Sequence, residues 1–185
     1  MQVDFAVELG ADDETLEFPW APAGDRVRYY DLKRQPELLL HVEETWRVTE
    51  LAEFLAAINL PSGALETAKC DTWSTTEINP EEEIFGAPCK FGSYVDVLFS
   101  DERHFSFPAH ELLVKRWIAL LRRVPDIPAA AEFMIRRCYF LGEVRDGFYV
   151  TFYLSGYGAD EDGARQQWAI GLKLVENAIR QAATV

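Results

Sequence analysis

Cysteine, histidine and long hydrophobic runs are scarce in this sequence. Its 185 residues include three cysteines and three histidines. Cys70, Cys89 and Cys138 are odd in number and far apart, so reduced thiols in a cytoplasmic protein are a simpler interpretation than a disulfide framework. The sequence lacks an apolar stretch of about 20 residues, and its N-terminus has no secretory-signal pattern. We therefore expect a cytoplasmic protein that does not act at a membrane.

Positive charge is also scarce, and it is unevenly placed. The chain has 18 Lys plus Arg against 31 Asp plus Glu, a net charge of −13. Because phosphate binding needs a basic surface, nucleic acid is not the expected partner. Residues 1–102 hold 22 acidic and 7 basic side chains, whereas residues 103–145 hold 8 basic and 4 acidic ones. The basic stretch is explained either by ion pairing within one domain or by an anionic ligand or acidic partner.

Recognisable catalytic and metal-binding motifs are missing as well. We find no phosphate-binding loop, nucleotide fingerprint or serine elbow, and no carboxylate pair at an informative spacing. His110-Glu111 begins like the helix of a zinc protease, but Val114 stands where the second histidine ligand is needed. We therefore predict no catalytic residues, no metal and no cofactor. Whether the protein is an enzyme stays open, with a non-enzymatic role favoured.

The sequence is, however, rich enough in apolar residues to fold. Hydrophobic residues make up 49% of the chain, with 12 Phe, 7 Tyr and 5 Trp. This content excludes a disordered chain, and the length favours one domain over residues 1–185. A core of this size needs no disulfide or metal for stability.

Hydrophobic periodicity predicts the secondary structure. Alternating apolar residues predict strands at 2–9, 66–74, 91–100, 132–144 and 148–156. A period near 3.6 residues predicts helices at 49–59, 108–123 and 161–182. A helical segment begins at Pro36, although residues 38–43 fit a helix or a strand because Leu38, Leu40 and Val42 also alternate. Residues 10–26 are expected to form a loop, and residues 26–32 could form a short strand.

These elements predict an α+β fold in one domain. We expect a single antiparallel sheet of about five or six strands, with three or four helices packed mainly on one face. After the N-terminal strand and helical segment, the expected order is hairpin, helix, hairpin, helix. Asp146-Gly147 is a strong two-residue turn signal. A turn there would place Arg136 opposite Tyr157 and Tyr139 opposite Leu154.

The face of the sheet that points away from the helices is the expected functional surface. On the strand at 66–74, Ala68, Cys70 and Thr72 should face the helices. The same alternation collects aromatic and charged side chains on the second face, where they could bind a ligand or a partner. These candidate residues are Lys69, Asp71, Trp73, Tyr94, Asp96, Arg136, Tyr149, Tyr153 and Tyr157. The alternative is that residues 10–48 pack over this face and that its tyrosines are half-buried supports.

Three classes of function fit these patterns. The first is a non-catalytic module that binds a small ligand or a protein, or pairs as a homodimer, through the second face. The second is an enzyme acting on a small molecule, with Asp71, Asp96, Tyr153 and Arg136 as its least unsuitable candidates. The third is an acidic inhibitor or immunity-type protein that binds a basic partner, since an acidic surface attracts a basic protein from a distance.

Overall fold

The computed structural model describes residues 1–20 and 29–182. Six strands occur in this part of the chain: β1 (Gln2–Glu8), β2 (Thr15–Phe18), β3 (Leu65–Thr75), β4 (Cys89–Phe99), β5 (Ala129–Phe140) and β6 (Arg145–Gly158). Its α-helices are α1 (Glu44–Arg47), α2 (Thr49–Ile58), α3 (Phe107–Leu121) and α4 (Glu161–Ala182). Short 3-10 helices span Pro36–His41, Pro80–Phe85 and Glu102–Phe105.

The fold is α+β, but the sheet is mixed rather than purely antiparallel. Its strand order is β1-β5-β6-β4-β3, and β2 also pairs with β5. The strands β1 and β2 both run parallel to β5, whereas the other pairs are antiparallel. The prediction of an antiparallel sheet was wrong because alternation reveals a strand but not its partner. More than 100 residues separate β1 from β5 along the chain, which leaves either direction open.

Three helices cover one face of the sheet and enclose the main core. Contacts join α4 to β4, β5 and β6, and they join α2 and α3 to α4. The buried residues of this core include Trp117, Phe133, Phe152 and Trp168. The indole Nε1 of Trp168 donates a hydrogen bond to Ser93 Oγ at 2.8 Å, so its polar atom is satisfied inside the core.

Local sequence signals account for the bounds of two helices. In α2, Leu51, Phe54, Leu55 and Ile58 are all buried, as their helical spacing predicts. Asp160 precedes α4, and its Oδ1 accepts a hydrogen bond of 2.7 Å from the amide of Gly163. This is the geometry of an N-cap, which satisfies an amide at the start of the helix.

The hairpin between β5 and β6 turns at residues 141–144, and not at Asp146-Gly147. Gly147 lies inside β6, where an added Cβ would come within 2.6 Å of the Phe140 ring and 2.7 Å of the His104 carbonyl oxygen. Glycine in a strand can mark such a close approach as well as a turn. The predicted turn was therefore wrong.

The register of this hairpin changes accordingly. Arg136 lies opposite Tyr149 rather than Tyr157, and Tyr139 lies opposite Asp146 rather than Leu154. Each partner has moved by eight residues. Because eight is an even number, the side chains stay on the faces that the alternation assigned to them.

A β-bulge in β3 changes the face of one residue. Thr67 pairs with Val97 and Cys70 pairs with Val95, so two residues of β3 lie opposite the single residue Asp96 of β4. Ala68 consequently packs against the buried apolar residues of the second face, not toward the helices as the alternation predicted. Cys70 still packs against the main core.

The region before α1 also differs from the prediction. The segment expected to be a loop contains β2, whose Leu16 is 2% exposed. Of the possible strand at 26–32, residues 26–28 lie outside the described part of the chain, and residues 29–32 are not a strand. Across the described ranges, no helix is both long enough and apolar enough to cross a membrane.

The packing of α4 on β6 makes a direct prediction about stability. A Cβ at Gly156 would lie 2.2 Å from the backbone nitrogen of Trp168 and 2.4 Å from the carbonyl oxygen of Ala164. Gly156→Ala should therefore push α4 away from the sheet and lower the free energy of unfolding by about 2 kcal/mol or more. At Gly142 an added Cβ meets nothing within 4 Å. Gly142→Ala is the matched control and should change stability by less than about 0.5 kcal/mol in urea unfolding. Equal losses in the two variants would refute this packing.

Candidate functional site

The second face of the sheet is largely covered. We define the second cluster as its buried apolar residues, which are at most 6% exposed: Leu16, Leu98, Cys138, Phe140 and Tyr149. Phe18, the last residue of β2, and Trp20, two residues further on, pack against this cluster. Residues 36–47 contact α2 and β3, and so lie at the edge of the sheet that β3 forms. Residues 10–48 are the segment expected to cover this face. Within that segment, β2 and Trp20 cover it.

A chain of polar side chains crosses the second face beside this cluster. Thr151 Oγ1 donates a hydrogen bond to Asp96 Oδ1 at 2.6 Å. Arg136 donates from Nη1 to Thr151 Oγ1 at 3.3 Å and to the Tyr153 hydroxyl at 3.2 Å. Its Nε donates to Glu8 Oε2 at 2.8 Å. This polar network links four neighbouring strands, and hydrogen bonding allows its charged groups to lie below the surface.

Asp96 is the most strongly perturbed carboxyl of this network. Its side chain is buried, and burial raises its pKa from 3.8 to about 7, against the opposing effects of the Thr151 hydrogen bond and of the Lys69 and Arg136 charges. The carboxyl therefore changes its charge near neutral pH. It does not line the adjoining pocket, however, so a bound molecule there would feel its charge without touching it.

A pocket of about 470 Å³ opens beside β3. Its walls come from β3 and β4, from Trp20, and from the segments that precede and form α1. Aromatic rings and ionisable groups line it together: Trp20, Tyr30 and Tyr94, with His41, Glu43, Glu44, Lys69 and Asp71. The remaining lining residues are Leu32, Val42, Leu55, Thr67, Ala68 and Cys70.

The bulge in β3 positions one wall of this pocket. Ala68 offers its carbonyl oxygen to the indole Nε1 of Trp20 at 3.1 Å. Lys69, the next residue, places its Nζ 5.4 Å from the centre of the Trp20 ring and 3.6 Å from Glu14 Oε1. The Trp20 ring is thus fixed by a hydrogen bond at its edge and by a cation over its face.

Tyr94 connects the pocket to the polar network. Its ring centre is 6.0 Å from that of Tyr153, whose hydroxyl belongs to the network. Burial raises the pKa of Tyr94, and the carboxylates of Asp96 and Asp71 raise it further. The phenol therefore stays protonated and neutral at physiological pH.

The nine residues predicted on the second face fall into separate groups. Lys69, Asp71 and Tyr94 line the pocket, and Asp96, Arg136 and Tyr153 form the network. The other three are Tyr149, Trp73 and Tyr157, which the pocket does not include.

Each of these three residues has a packing role. Tyr149 is 1% exposed in the second cluster. The Trp73 indole lies over Gly92, where an added Cβ would be only 2.6 Å from the ring. Tyr157 donates its hydroxyl hydrogen to Glu82 Oε1 at 2.6 Å, and its ring stacks on Phe85 with centres 4.1 Å apart. Together they support the sheet and the 3-10 helix at Pro80–Phe85.

Among the aromatic, acidic and basic side chains of this pocket, five were not predicted from the sequence: Trp20, Tyr30, His41, Glu43 and Glu44. All of them precede the first strand of the predicted central hairpin. Phe18-Pro19-Trp20 was the available signal, because aromatic residues in a polar loop mark a segment that is held against the protein. Nothing local indicates that this segment reaches β3.

His110, which the sequence places in an incomplete zinc-protease motif, and His104 are both engaged in packing. His110 is 1% exposed, bonds through Nδ1 to the Ser106 carbonyl oxygen at 2.9 Å, and packs edge-on against Phe99. His104 stacks on Phe140 with ring centres 4.1 Å apart. In residues 1–20 and 29–182, no three His, Cys, Asp or Glu side chains are grouped so that they could hold a metal ion.

Comparison with known proteins yields no relative: no family model, no curated protein and no solved structure matches the chain. Function is therefore inferred from the residues of the pocket and its surroundings.

The buried Asp96 carboxyl predicts a pH-dependent stability. Between its unfolded pKa of 3.8 and its folded pKa of about 7, the folded chain keeps a proton that the unfolded chain releases. The free energy of unfolding should therefore fall as pH rises through this window, by up to about 4 kcal/mol. Asp96→Asn removes the ionisation. Relative to the parent chain, it should be nearly neutral near pH 4 and clearly stabilising near pH 8 in urea unfolding.

Asp4→Asn provides the control for this experiment, because Asp4 is an exposed residue of β1. Its effect on the free energy of unfolding should be small at both pH values. An Asp96→Asn effect that does not change with pH would show that Asp96 titrates like an ordinary surface carboxyl.

Proposed function

We propose that this protein is a non-catalytic binding protein whose small-molecule ligand occupies the pocket beside β3. The observation that carries the proposal is the pocket itself, about 470 Å³ in volume, with three aromatic rings and several ionisable side chains in its walls. Pockets that bind small molecules typically have about 300–1,000 Å³ and combine apolar surface with a few polar groups.

The floor of the pocket is built from buried, packed residues. Leu32, Leu55 and Thr67 line it and are each at most 6% exposed, so its floor is continuous with the main core. Asn59 Nδ2 donates to Thr67 Oγ1 at 2.7 Å and ties the end of α2 to β3. A preformed floor reduces the entropy that a ligand loses when it binds.

Binding is favoured over catalysis by the state of the candidate reactive groups. Cys70 lines the pocket, but burial raises the pKa of its thiol, and the carboxylates of Glu44 and Asp71 raise it further. Such a thiol stays protonated and is a poor nucleophile. Asp96, whose pKa is suited to proton transfer, lies outside the pocket lining.

The third class of function, an acidic protein that binds a basic partner, would use the same part of the surface. Glu43 and Asp71 are exposed at the pocket, and Glu14 is exposed close to it. A small-molecule ligand is favoured because these carboxylates surround a concave pocket rather than a flat patch. Formation of a homodimer and binding of a protein partner stay predictions.

The proposal is tested by titrating ¹⁵N-labelled protein with a library of small molecules that contains cationic, anionic and neutral compounds. Tryptophan indole resonances report the site, since Trp20 lines the pocket whereas Trp117 and Trp168 are fully buried in the core. We expect compounds that shift the Trp20 indole resonance and leave the Trp117 and Trp168 resonances in place. Trp20→Phe assigns the reporter.

A pair of variants then localises the binding. Tyr94→Ala removes one wall of the pocket and should weaken a hit about tenfold or more. Tyr139→Ala is the matched control, since it truncates a half-buried tyrosine of β5 outside the pocket and should leave the affinity unchanged. Circular dichroism checks that both variants are folded. If no compound shifts Trp20, or if both variants weaken binding equally, the proposed function is wrong.

A further inference from the structure

We propose that the pocket beside β3 selects a small organic cation, an ammonium or guanidinium group carried on an apolar body. This inference rests on the proposed function and names the chemical class of its ligand.

The first argument is the charge at the pocket. Three carboxylates line it, from Glu43, Glu44 and Asp71, against the single lysine Lys69. The Lys69 Nζ is 3.6 Å from Glu14 Oε1 and lies over the Trp20 ring. Its charge therefore already interacts with groups of the protein. Among the described residues, none of the three carboxylates is within ion-pair distance of a cationic side chain.

The second argument is that carboxylates contribute to the raised pKa values of two groups on different strands, Cys70 and Tyr94. Burial is the main reason that the Cys70 thiol on β3 has a raised pKa, but Glu44, Asp71 and Asp96 each add to the shift. Tyr94 on β4 has a raised pKa through burial and through Asp96 and Asp71. Burial disfavours a charge of either sign, whereas the field of the carboxylates disfavours only a further negative charge. The same field favours a positively charged ligand.

The third argument is the aromatic wall. Tryptophan and tyrosine rings attract a cation placed within about 6 Å over their faces. Lys69 Nζ already occupies such a position, 5.4 Å from the Trp20 ring centre. Tyr30 and Tyr94 line the pocket on other sides, so an organic cation could contact rings and carboxylates at once. For an anionic ligand, the described lining residues offer one Lys or Arg side chain, Lys69, which Glu14 partly neutralises.

The inference is tested with three compounds that share one apolar body and differ in charge: 4-phenylbutylamine, 4-phenylbutanol and 4-phenylbutanoate. Dissociation constants are measured by calorimetry or by the Trp20 indole shift. We expect the amine to bind about tenfold or more tightly than the alcohol, and the carboxylate to bind most weakly. Raising the salt concentration should weaken the amine and leave the alcohol almost unchanged.

Asp71→Asn supplies the decisive variant. It should weaken the amine about three- to tenfold and leave the alcohol unchanged, because only the charge at the pocket differs. Asp4→Asn is the matched control, since it makes the same change in net charge on a different strand and should affect neither compound. A blocked tripeptide with a central lysine is titrated in parallel. Tighter binding of this peptide would assign the cation to a protein side chain rather than a free amine, and either source supports a cation-selective pocket.

Failure of this inference can be told apart from failure of the proposed function. If the carboxylate or the alcohol shifts Trp20 at least as strongly as the amine, the pocket binds small molecules without preferring cations, and the inference is overturned. If none of the three compounds binds, the inference is judged by the charges of the library compounds that bind the pocket. Cationic hits support it, and neutral or anionic hits overturn it. If the whole library fails, the proposed function falls together with the inference.

Discussion

The β-bulge in β3 is the constraint on which the arrangement of the second face depends. It places the consecutive residues Ala68 and Lys69 opposite Asp96, so that both contribute to the same side of the sheet. The Ala68 carbonyl then anchors the Trp20 indole, and the Lys69 ammonium lies over its ring. Without the extra residue, alternation would turn one of these two away. If that residue were Lys69, Trp20 would lose the cation that lies over its ring.

The pocket and the buried polar network are neighbours with different roles. The network ties strands together, because Asp96, Thr151 and Arg136 lie on β4, β6 and β5 and are joined by hydrogen bonds. The pocket lies beside β3, which forms an edge of the sheet. Tyr94 stands between them and contacts Tyr153 of the network. The ionisation of Asp96 thus adds negative charge to the pocket from below, without contact with a ligand.

Much of the fold follows from the sequence, and the remainder depends on distant contacts. Periodicity placed α2 and α4 within one or two residues, and alternation assigned Tyr94, Asp96 and Arg136 to the second face because side chains of a strand alternate with period two. The hairpin register was wrong because Gly147, a turn signal in isolation, is needed inside β6 for the approach of Phe140 and His104. The bulge, the parallel pairing of β1 and the reach of Trp20 to β3 have no local sequence signal.

The central claim is that a small organic cation binds in the pocket beside β3, which the Trp20 and Tyr94 rings line. Isotope-filtered nuclear Overhauser measurements on ¹³C-labelled protein with bound 4-phenylbutylamine test it most directly. The account predicts contacts from the ligand protons to the ring protons of both Trp20 and Tyr94, and to the side chain of Asp71. Contacts confined to exposed residues outside the pocket, such as Trp46 or Trp73, would contradict it.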